Sequence, residues 1–194
     1  MVKDVGVYPG TFDPVHPGHI AFAEAAMQRC GLSEVIFLPE RKPRGKRGVT
    51  EIAHRMALLR VGLDGHQGLR AARLRSQQFS VRQTLPELRQ LGRGAKLTLL
   101  IGSDIVPGLP HWPDITDLLE DVTLAIGLRA GTGEGEIQSC LQDLSQALAM
   151  PIRHMYVRTS MPHIASSQIR QGSTQTLPAP MLEYITANKL YRRA

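Results

Sequence analysis

Short apolar segments alternate with longer mixed segments along almost the whole chain, and this alternation constrains the fold more than any other feature. Strands separated by helical segments need crossover connections, which are right-handed and give a largely parallel sheet covered by helices on both faces. We therefore predict a Rossmann-like, doubly wound α/β fold. The predicted strands are Val5–Tyr8, Glu34–Leu38, Leu69–Leu74, Lys96–Ile101, Val122–Leu128 and Ile152–Val157.

Helices are predicted in the intervals between these strands and after the last one. A chain of 194 residues has the length of one domain, and we expect a single domain over 1–194 with a C-terminal helical part from about 160 to 194. Gly31 is predicted to stop the first helix and Thr50 to cap the second. The predicted helices are Pro17–Arg29, Glu51 to about Leu63, Ser80–Leu91, Asp104–Leu109, Pro113–Leu119, Glu134–Ala149, Ser166–Gly172 and Pro180–Lys189.

The formal net charge of +6 indicates an anionic partner. The densest basic run, Arg41 to Arg47, contains no aromatic residue that could stack on a base. This favours a nucleoside triphosphate over a nucleic acid, although a solvated surface loop is the alternative for much of the run. Lys42, Lys46 and Arg47 are the residues of this loop that could contact the triphosphate.

Nothing in the sequence suggests export or membrane insertion. No apolar run approaches the length of a membrane span, and the N-terminus begins directly as a strand without a preceding signal peptide. Cys30 and Cys140 lie far apart and outside any metal-ligand spacing, so we predict reduced structural thiols. We expect a cytoplasmic protein; the sequence does not indicate its oligomeric state.

Two histidines stand at the predicted start of the first helix. His16 and His19 are three residues apart, so they share one face of that helix, and Gly18 between them leaves room for a ligand near the backbone. The free N–H groups and the dipole at a helix N-terminus favour an anion. The pattern predicts phosphate chemistry in which positioning and charge stabilisation supply most of the rate. The protonation state of the two rings stays open.

These residues resemble the signature of the nucleotidyltransferase superfamily. Gly10-Thr11-Phe12-Asp13-Pro14 matches the lead-in, and His16-Pro17-Gly18-His19 matches the His-x-Gly-His motif. Two later segments are similar to those of bacterial nicotinate-mononucleotide adenylyltransferases, as is the C-terminal segment Leu182–Arg192. The first runs from Ile101-Gly102-Ser103-Asp104 to Trp112, and the second is Ile164 to Arg170. The order and spacing fit across nearly the whole chain.

The resemblance implies transfer of AMP from ATP to nicotinate mononucleotide, with release of pyrophosphate and formation of deamido-NAD. It also implies Mg²⁺ carried with ATP, without a protein metal cage, and no nucleic-acid or membrane partner. A different small phosphorylated acceptor, such as nicotinamide mononucleotide or pantetheine phosphate, is the alternative. A non-catalytic nucleotide-binding protein on the same fold is a second alternative, against which His16, His19 and Arg170 argue.

The motif positions give an expected set of site residues. The expected catalytic residues are His16, His19 and Arg170. The expected ATP-binding residues are Gly10, Thr11, Phe12, Gly18, Lys46, Gly102, Asp104, Ser166 and Ser167. The expected acceptor-binding residues are Phe79, Ser80, Arg82 and Trp112.

Several positions depart from the family pattern or have a second interpretation. Ala165 replaces a serine, Gly45 replaces the histidine of a His-Lys pair, and Arg82 replaces an aspartate of the acceptor segment. An arginine at that place would suit the carboxylate of nicotinate, or it could indicate another mononucleotide. Trp112 matches the residue that stacks on the pyridine ring in the family, with core packing as the alternative.

Three further side chains have structural interpretations. Asp13 is predicted to be a turn or capping residue rather than a base. Arg55, on a helix among apolar residues, is predicted to form a structural ion pair. Ser166 or Ser167 is predicted to cap the helix that carries Arg170.

Overall fold

The fold is a six-stranded sheet in the order β3-β2-β1-β4-β5-β6, and each of its five pairings is parallel. The computed structural model describes residues 4–128, 133–159 and 164–191. This strand order is that of the Rossmann fold, so the doubly wound α/β prediction is confirmed. The strands are β1 Val5–Gly10, β2 Glu34–Pro39, β3 Leu69–Ala71, β4 Leu97–Gly102, β5 Val122–Gly127 and β6 His154–Val157.

Helices lie between the strands as predicted, with several different bounds. Gly31 ends α1 in the left-handed conformation (φ 66°), as its lack of a Cβ allows. A 3₁₀ helix runs through Pro110, over Ser103–His111, where a shorter helix was predicted. The α-helices are α1 Pro17–Cys30, α2 Ile52–Gly62, α3 Val81–Gly92, α4 Ile115–Asp121, α5 Glu134–Leu148, α6 Ser166–Arg170 and α7 Ala179–Ala187.

The third strand ends at Ala71 instead of the predicted Leu74, where its pairing with β2 stops. Two further predicted boundaries were wrong for local reasons. Glu51, not Thr50, is the N-cap of α2, and the main-chain N–H of Thr50 instead donates to the Asp13 carboxylate. The last strand begins at His154 instead of Ile152, because it pairs with β5 only from Leu124↔His154 onward.

Successive residues of the strands point to opposite faces of the sheet and contribute to two hydrophobic clusters, one on each face. Ile36 and Leu99 point into the cluster that packs under α3, α4 and α5, whereas Phe37 and Leu100 point into the cluster under α1, α2 and α7. Strands that are buried on both faces have continuous hydrophobic sequences, and β2 and β4 show this pattern.

The strand order reverses direction between β1 and β4, which lie side by side at the middle of the sheet. In such sheets ligands bind beyond the carboxyl ends of the strands at this switch point. The residues at those ends are Gly10 of β1 and Gly102 of β4, with Gly127 paired to Gly102 in the register of β5. Both cavities described below lie at this edge of the sheet.

Cys30 and Cys140 are free cysteines, as predicted. Among the helices in the described part of the chain, none combines the length and the apolar character that crossing a bilayer requires.

Candidate active site

A cavity of about 770 Å³ opens at the carboxyl edge of the sheet. Its volume lies in the range of small-molecule binding sites. The charged side chains at its wall are mostly basic: Lys46, Arg47 and Arg170, against the single carboxylate of Asp13. The ring pair His16 and His19 completes this wall, so the cavity suits a polyanion.

A second cavity of about 410 Å³ lies beside the first. Two aromatic side chains, Phe79 and Trp112, form part of its wall, with their ring centroids 5.7 Å apart. Asp104 and Arg44 also line it. This cavity therefore offers an apolar aromatic surface together with the Arg44 guanidinium and three carboxylates, those of Glu40, Asp104 and Asp114. Such a combination suits a polar molecule with an aromatic ring.

The two cavities share part of their wall. The residues that line both are Tyr8, Thr11, His19, Lys46 and Gly102. The Lys46 ammonium donates to the Thr11 hydroxyl at 2.9 Å, which places a positive charge at the junction. A ligand in one cavity would thus reach a ligand in the other beside His19 and Lys46.

The two histidine rings lie almost face to face, with centroids 3.7 Å apart and planes 31° apart. His16 is the N-cap of α1, and its main-chain N–H donates to His19 Nδ1 at 3.3 Å. Nδ1 must accept this bond, so a neutral His19 ring carries its proton on Nε2. A Cβ at Gly18 would lie 3.2 Å from the His16 ring, so a side chain at that position would displace it.

The loop that leads into the histidines is held by α6. Arg170 Nη1 donates to the Asp13 carbonyl at 2.7 Å, and the Ser166 hydroxyl donates to the Pro14 carbonyl at 2.9 Å. Both bonds join residues more than 150 positions apart in the chain. Arg170 and the histidine pair therefore line the same cavity, as the sequence predicted.

Arg55 secures the same loop from the other side. Its side chain is fully buried (0% exposed) and donates to the carbonyls of Thr11, Thr50 and Glu40 at 2.6, 2.7 and 2.7 Å. Burial lowers the pKa of Arg55, while the charge of Asp13 opposes this shift. The predicted role was structural, which is correct, but the guanidinium binds main-chain carbonyls instead of forming the expected ion pair.

Phe79 is held against the second cavity by two residues of the loop after β2. The Glu40 carboxylate accepts from the Phe79 N–H at 2.8 Å, and Arg44 Nη2 donates to the Phe79 carbonyl at 3.3 Å. The main-chain N–H and the carbonyl of Phe79 are thereby both bonded to residues of the same loop. Ser80 follows as the N-cap of α3, and its hydroxyl accepts from the Gln83 N–H at 3.4 Å.

Comparison with known proteins agrees with this arrangement. The family model described as Cytidylyltransferase-like matches residues 7–172, which include both cavities and the histidine pair. The chain belongs to this family.

Several relatives match the chain over nearly its full length. A protein of Thermomicrobium roseum named "Probable nicotinate-nucleotide adenylyltransferase" is 33% identical, over 97% of this chain and 91% of its own. A protein of the same name from Bordetella pertussis is 29% identical, over 98% and 99%. The Plasmodium falciparum nicotinic acid mononucleotide adenylyltransferase complexed with NaAD superposes with a TM-score of 0.75 at 17% identity, with 97% of each chain covered, which shows the shared fold.

Within this Cytidylyltransferase-like fold, the predicted ATP-binding residues divide between the two cavities. Gly10, Phe12 and Asp104 line only the second cavity. Phe12 is only 2% exposed and packs edge-on against Tyr8, so a ligand would meet chiefly its main chain. The predicted residues that line the first cavity are Thr11, Gly18, Lys46, Gly102, Ser166 and Ser167.

The serines play a different part from the one predicted. The N-cap of α6 is Ala165, whose N–H donates to the side chain of Gln168 at 3.0 Å. The Ser166 hydroxyl is engaged with the Pro14 carbonyl instead of capping the helix. With Ala165 at this position, Gln168 satisfies the main-chain N–H of the N-cap residue, but no side chain of that residue accepts from the first turn of α6.

Three of the four predicted acceptor residues, Phe79, Ser80 and Trp112, line the second cavity. Trp112 also packs against the hydrophobic cluster, so it contributes to the core and to the cavity wall at once. Arg82 is exposed on α3 and is not among the residues that line the cavity. The positive charge expected from Arg82 is supplied there by Arg44, since the loop after β2 folds over the cavity.

Some site residues had no motif to reveal them. Gly127 lines the first cavity and lies at the carboxyl end of β5, so the strand-end rule could have identified it. Arg44 follows β2 and could have been found in the same way. Tyr191 lies in the C-terminal segment Leu182–Arg192 noted above, but the bond from its hydroxyl to the Asp13 carboxylate, at 2.8 Å, was not predictable, because the two residues are 178 positions apart.

The residues of the site do not form a cage for a metal ion. In residues 4–128, 133–159 and 164–191, no group of three or more His, Cys, Asp or Glu side chains is arranged to hold one. Asp13 lines the first cavity, but its carboxylate already accepts hydrogen bonds from Thr50 and Tyr191.

Proposed function

We propose that this protein transfers AMP from ATP to nicotinate mononucleotide, forming deamido-NAD and releasing pyrophosphate. The observation that carries the proposal is the pair of adjoining cavities that share His19, Lys46 and Thr11. A transfer between two bound nucleotides requires two such sites in contact. The names of the relatives from Thermomicrobium roseum and Bordetella pertussis support the same activity.

The reaction makes one bond and breaks one. An oxygen of the acceptor phosphate attacks the α-phosphorus of ATP in line with the leaving group, and the bond from that phosphorus to the bridging oxygen of pyrophosphate breaks. The attacking phosphate is already ionised at neutral pH, so no protein base is needed to activate it. The protein has to align the two phosphates and stabilise the charge on the α-phosphate oxygens.

The residues of the first cavity can supply that stabilisation. We assign the hydrogen-bond donor to His19 Nε2, which carries the proton when Nδ1 accepts from the His16 N–H. Lys46 lies at the junction and would meet the phosphates from the side of the β2 loop. Arg170, tied through Nη1 to the Asp13 carbonyl, would hold triphosphate oxygens with its remaining N–H groups.

The second cavity suits a pyridine mononucleotide. The pyridinium ring of such a nucleotide is cationic, and a cation is attracted to the face of an aromatic ring such as Trp112. The Asp104 carboxylate can accept from ribose hydroxyls, and the Arg44 guanidinium can bind a ring carboxylate. Pantetheine phosphate offers neither an aromatic ring nor a carboxylate to this wall.

We propose that Mg²⁺ enters as the Mg·ATP complex and is therefore part of the substrate. Mg²⁺ is held mainly by oxygen ligands and usually keeps several waters and substrate phosphates in its coordination shell. The ion would neutralise part of the triphosphate charge when it arrives.

A panel of acceptors with ATP and Mg²⁺ tests the proposed function. We expect nicotinate mononucleotide to give dinucleotide and pyrophosphate in equal amounts, with a higher kcat/KM than nicotinamide mononucleotide or pantetheine phosphate. Faster turnover of another acceptor would reassign the substrate. ATP binding without any pyrophosphate release would favour a non-catalytic nucleotide-binding protein.

Replacement of Trp112 by alanine should weaken acceptor binding. We expect the KM for nicotinate mononucleotide to rise about tenfold or more, since ring stacking contributes about 1–3 kcal/mol, with a smaller effect on the KM for ATP. Trp112→Phe, which keeps an aromatic face, should recover much of the loss. An unchanged acceptor KM together with a lower melting temperature would show that Trp112 serves core packing alone.

Replacement of Arg44 by glutamine should change the choice between acceptors. The KM for nicotinate mononucleotide should rise roughly tenfold, as expected for a lost charge-assisted hydrogen bond of about 1.5 kcal/mol, while the KM for nicotinamide mononucleotide changes little. Arg41→Gln, in the same loop but outside both cavity walls, is the matched control. Equal effects on the two acceptors would exclude Arg44 from carboxylate recognition.

A further inference from the structure

The C-terminal segment reaches back to the loop that precedes the histidine pair. Tyr191, beyond the end of α7, donates its hydroxyl to Asp13 Oδ1 at 2.8 Å. Asp13 Oδ2 accepts from the Thr50 N–H at 3.0 Å. The Asp13 side chain is 2% exposed, so both bonds lie where water does not compete for them.

The same residue anchors Arg170 through its main chain. The Asp13 carbonyl accepts from Arg170 Nη1 at 2.7 Å, while its side chain holds Tyr191. Asp13 stands three residues before His16, whose N–H fixes the His19 ring. The position of the Asp13 carboxylate therefore affects where the Arg170 guanidinium and the His16 and His19 rings lie in the first cavity.

The surroundings of Tyr191 favour its role as a hydrogen-bond donor to the Asp13 carboxylate. Burial, followed by the charge of Asp13, raises the pKa of its phenol, which favours the protonated form that donates to the carboxylate. Its backbone lies in the left-handed region, with φ 58°, which is unusual for a bulky side chain. Such a conformation persists only where surrounding contacts hold it.

We propose that Tyr191 is a positioning residue for the transfer reaction: its hydroxyl fixes the Asp13 carboxylate, and through it the loop that binds Arg170 of α6 and leads into His16 and His19. This inference rests on the proposed function for its kinetic consequence. Tyr191 does not line either cavity, so it acts through Asp13 and not by contact with a nucleotide.

Tyr191→Phe tests the proposal, with Tyr184→Phe as the matched control. Tyr184 is also a half-buried tyrosine of the C-terminal segment, but its hydroxyl bonds to His54 Nδ1, away from both cavities. We expect Tyr191→Phe to lower kcat about tenfold with little change in either KM, because binding surfaces stay intact while their alignment is lost. Tyr184→Phe should keep the wild-type kcat even if its melting temperature falls as much.

Amide hydrogen exchange over residues 11–19 gives a second readout that does not depend on turnover. Tyr191→Phe should speed exchange in this stretch, and Tyr184→Phe should not. A kcat for Tyr191→Phe equal to that of the control, or exchange unchanged over 11–19, overturns the proposal. Wild-type protein that makes no dinucleotide would instead refute the proposed function, and the exchange comparison would still decide whether Tyr191 orders the loop.

Discussion

Replacement of His19 by alanine is expected to lower kcat by about 100- to 1,000-fold, the loss seen when one preorganised donor to a developing negative charge is removed. The reason is the position of His19, which lines both cavities and whose Nδ1 accepts the His16 N–H, leaving the proton on Nε2. The KM for ATP should change much less than kcat, because the charge that His19 stabilises grows only in the transition state. Steady-state kinetics with ATP and nicotinate mononucleotide measure both quantities.

His54→Ala is the matched control for this variant. His54 lies on α2, where its ring bonds to the Tyr184 hydroxyl, and it lines neither cavity. Its loss should leave turnover near the wild-type value. Since His19 also packs edge-on against Phe12, a melting curve should accompany the kinetics. Near-normal turnover in His19→Ala would remove His19 from the reaction.

Replacement of Arg55 by methionine is expected to lower the free energy of unfolding by about 3–5 kcal/mol. Methionine fills much of the same volume but leaves the carbonyls of Thr11, Thr50 and Glu40 without the donor that the fully buried Arg55 supplies. Each unsatisfied buried group costs about 1–3 kcal/mol. Urea unfolding followed by circular dichroism measures the change.

Arg60→Met, on the exposed side of the same helix, provides the comparison. A surface substitution of this kind normally changes stability by less than about 0.5 kcal/mol. Similar losses for the two variants would mean that the buried bonds of Arg55 contribute little, and that the loop after β1 is held by other contacts.

The architecture was predictable because its signals are local. Buried parallel strands such as β2 and β4 appear as continuous apolar runs, and the helices between them have recognisable ends such as Gly31. The histidine pair was predictable for the same reason, since His16 and His19 are the N-cap and the third residue of the same helix.

The rest of the site depends on contacts between distant segments, which a single sequence does not reveal. Arg55 was expected to pair with a carboxylate, yet it binds main-chain carbonyls from two loops that only the fold brings together. The charge expected from Arg82 comes from Arg44, because α3 turns its second residue outward and the β2 loop covers the cavity. The bond from Tyr191 to Asp13 joins the two ends of the chain.

The most direct test of the account is a crystal structure of the protein with a non-hydrolysable ATP analogue. The quantity to measure is the distance from His19 Nε2 to the nearest α-phosphate oxygen. We predict a hydrogen bond of about 2.7–3.1 Å, with the triphosphate in the larger cavity beside Arg170 and Lys46. An analogue whose phosphates lie in the smaller cavity, or away from His19, would contradict the account.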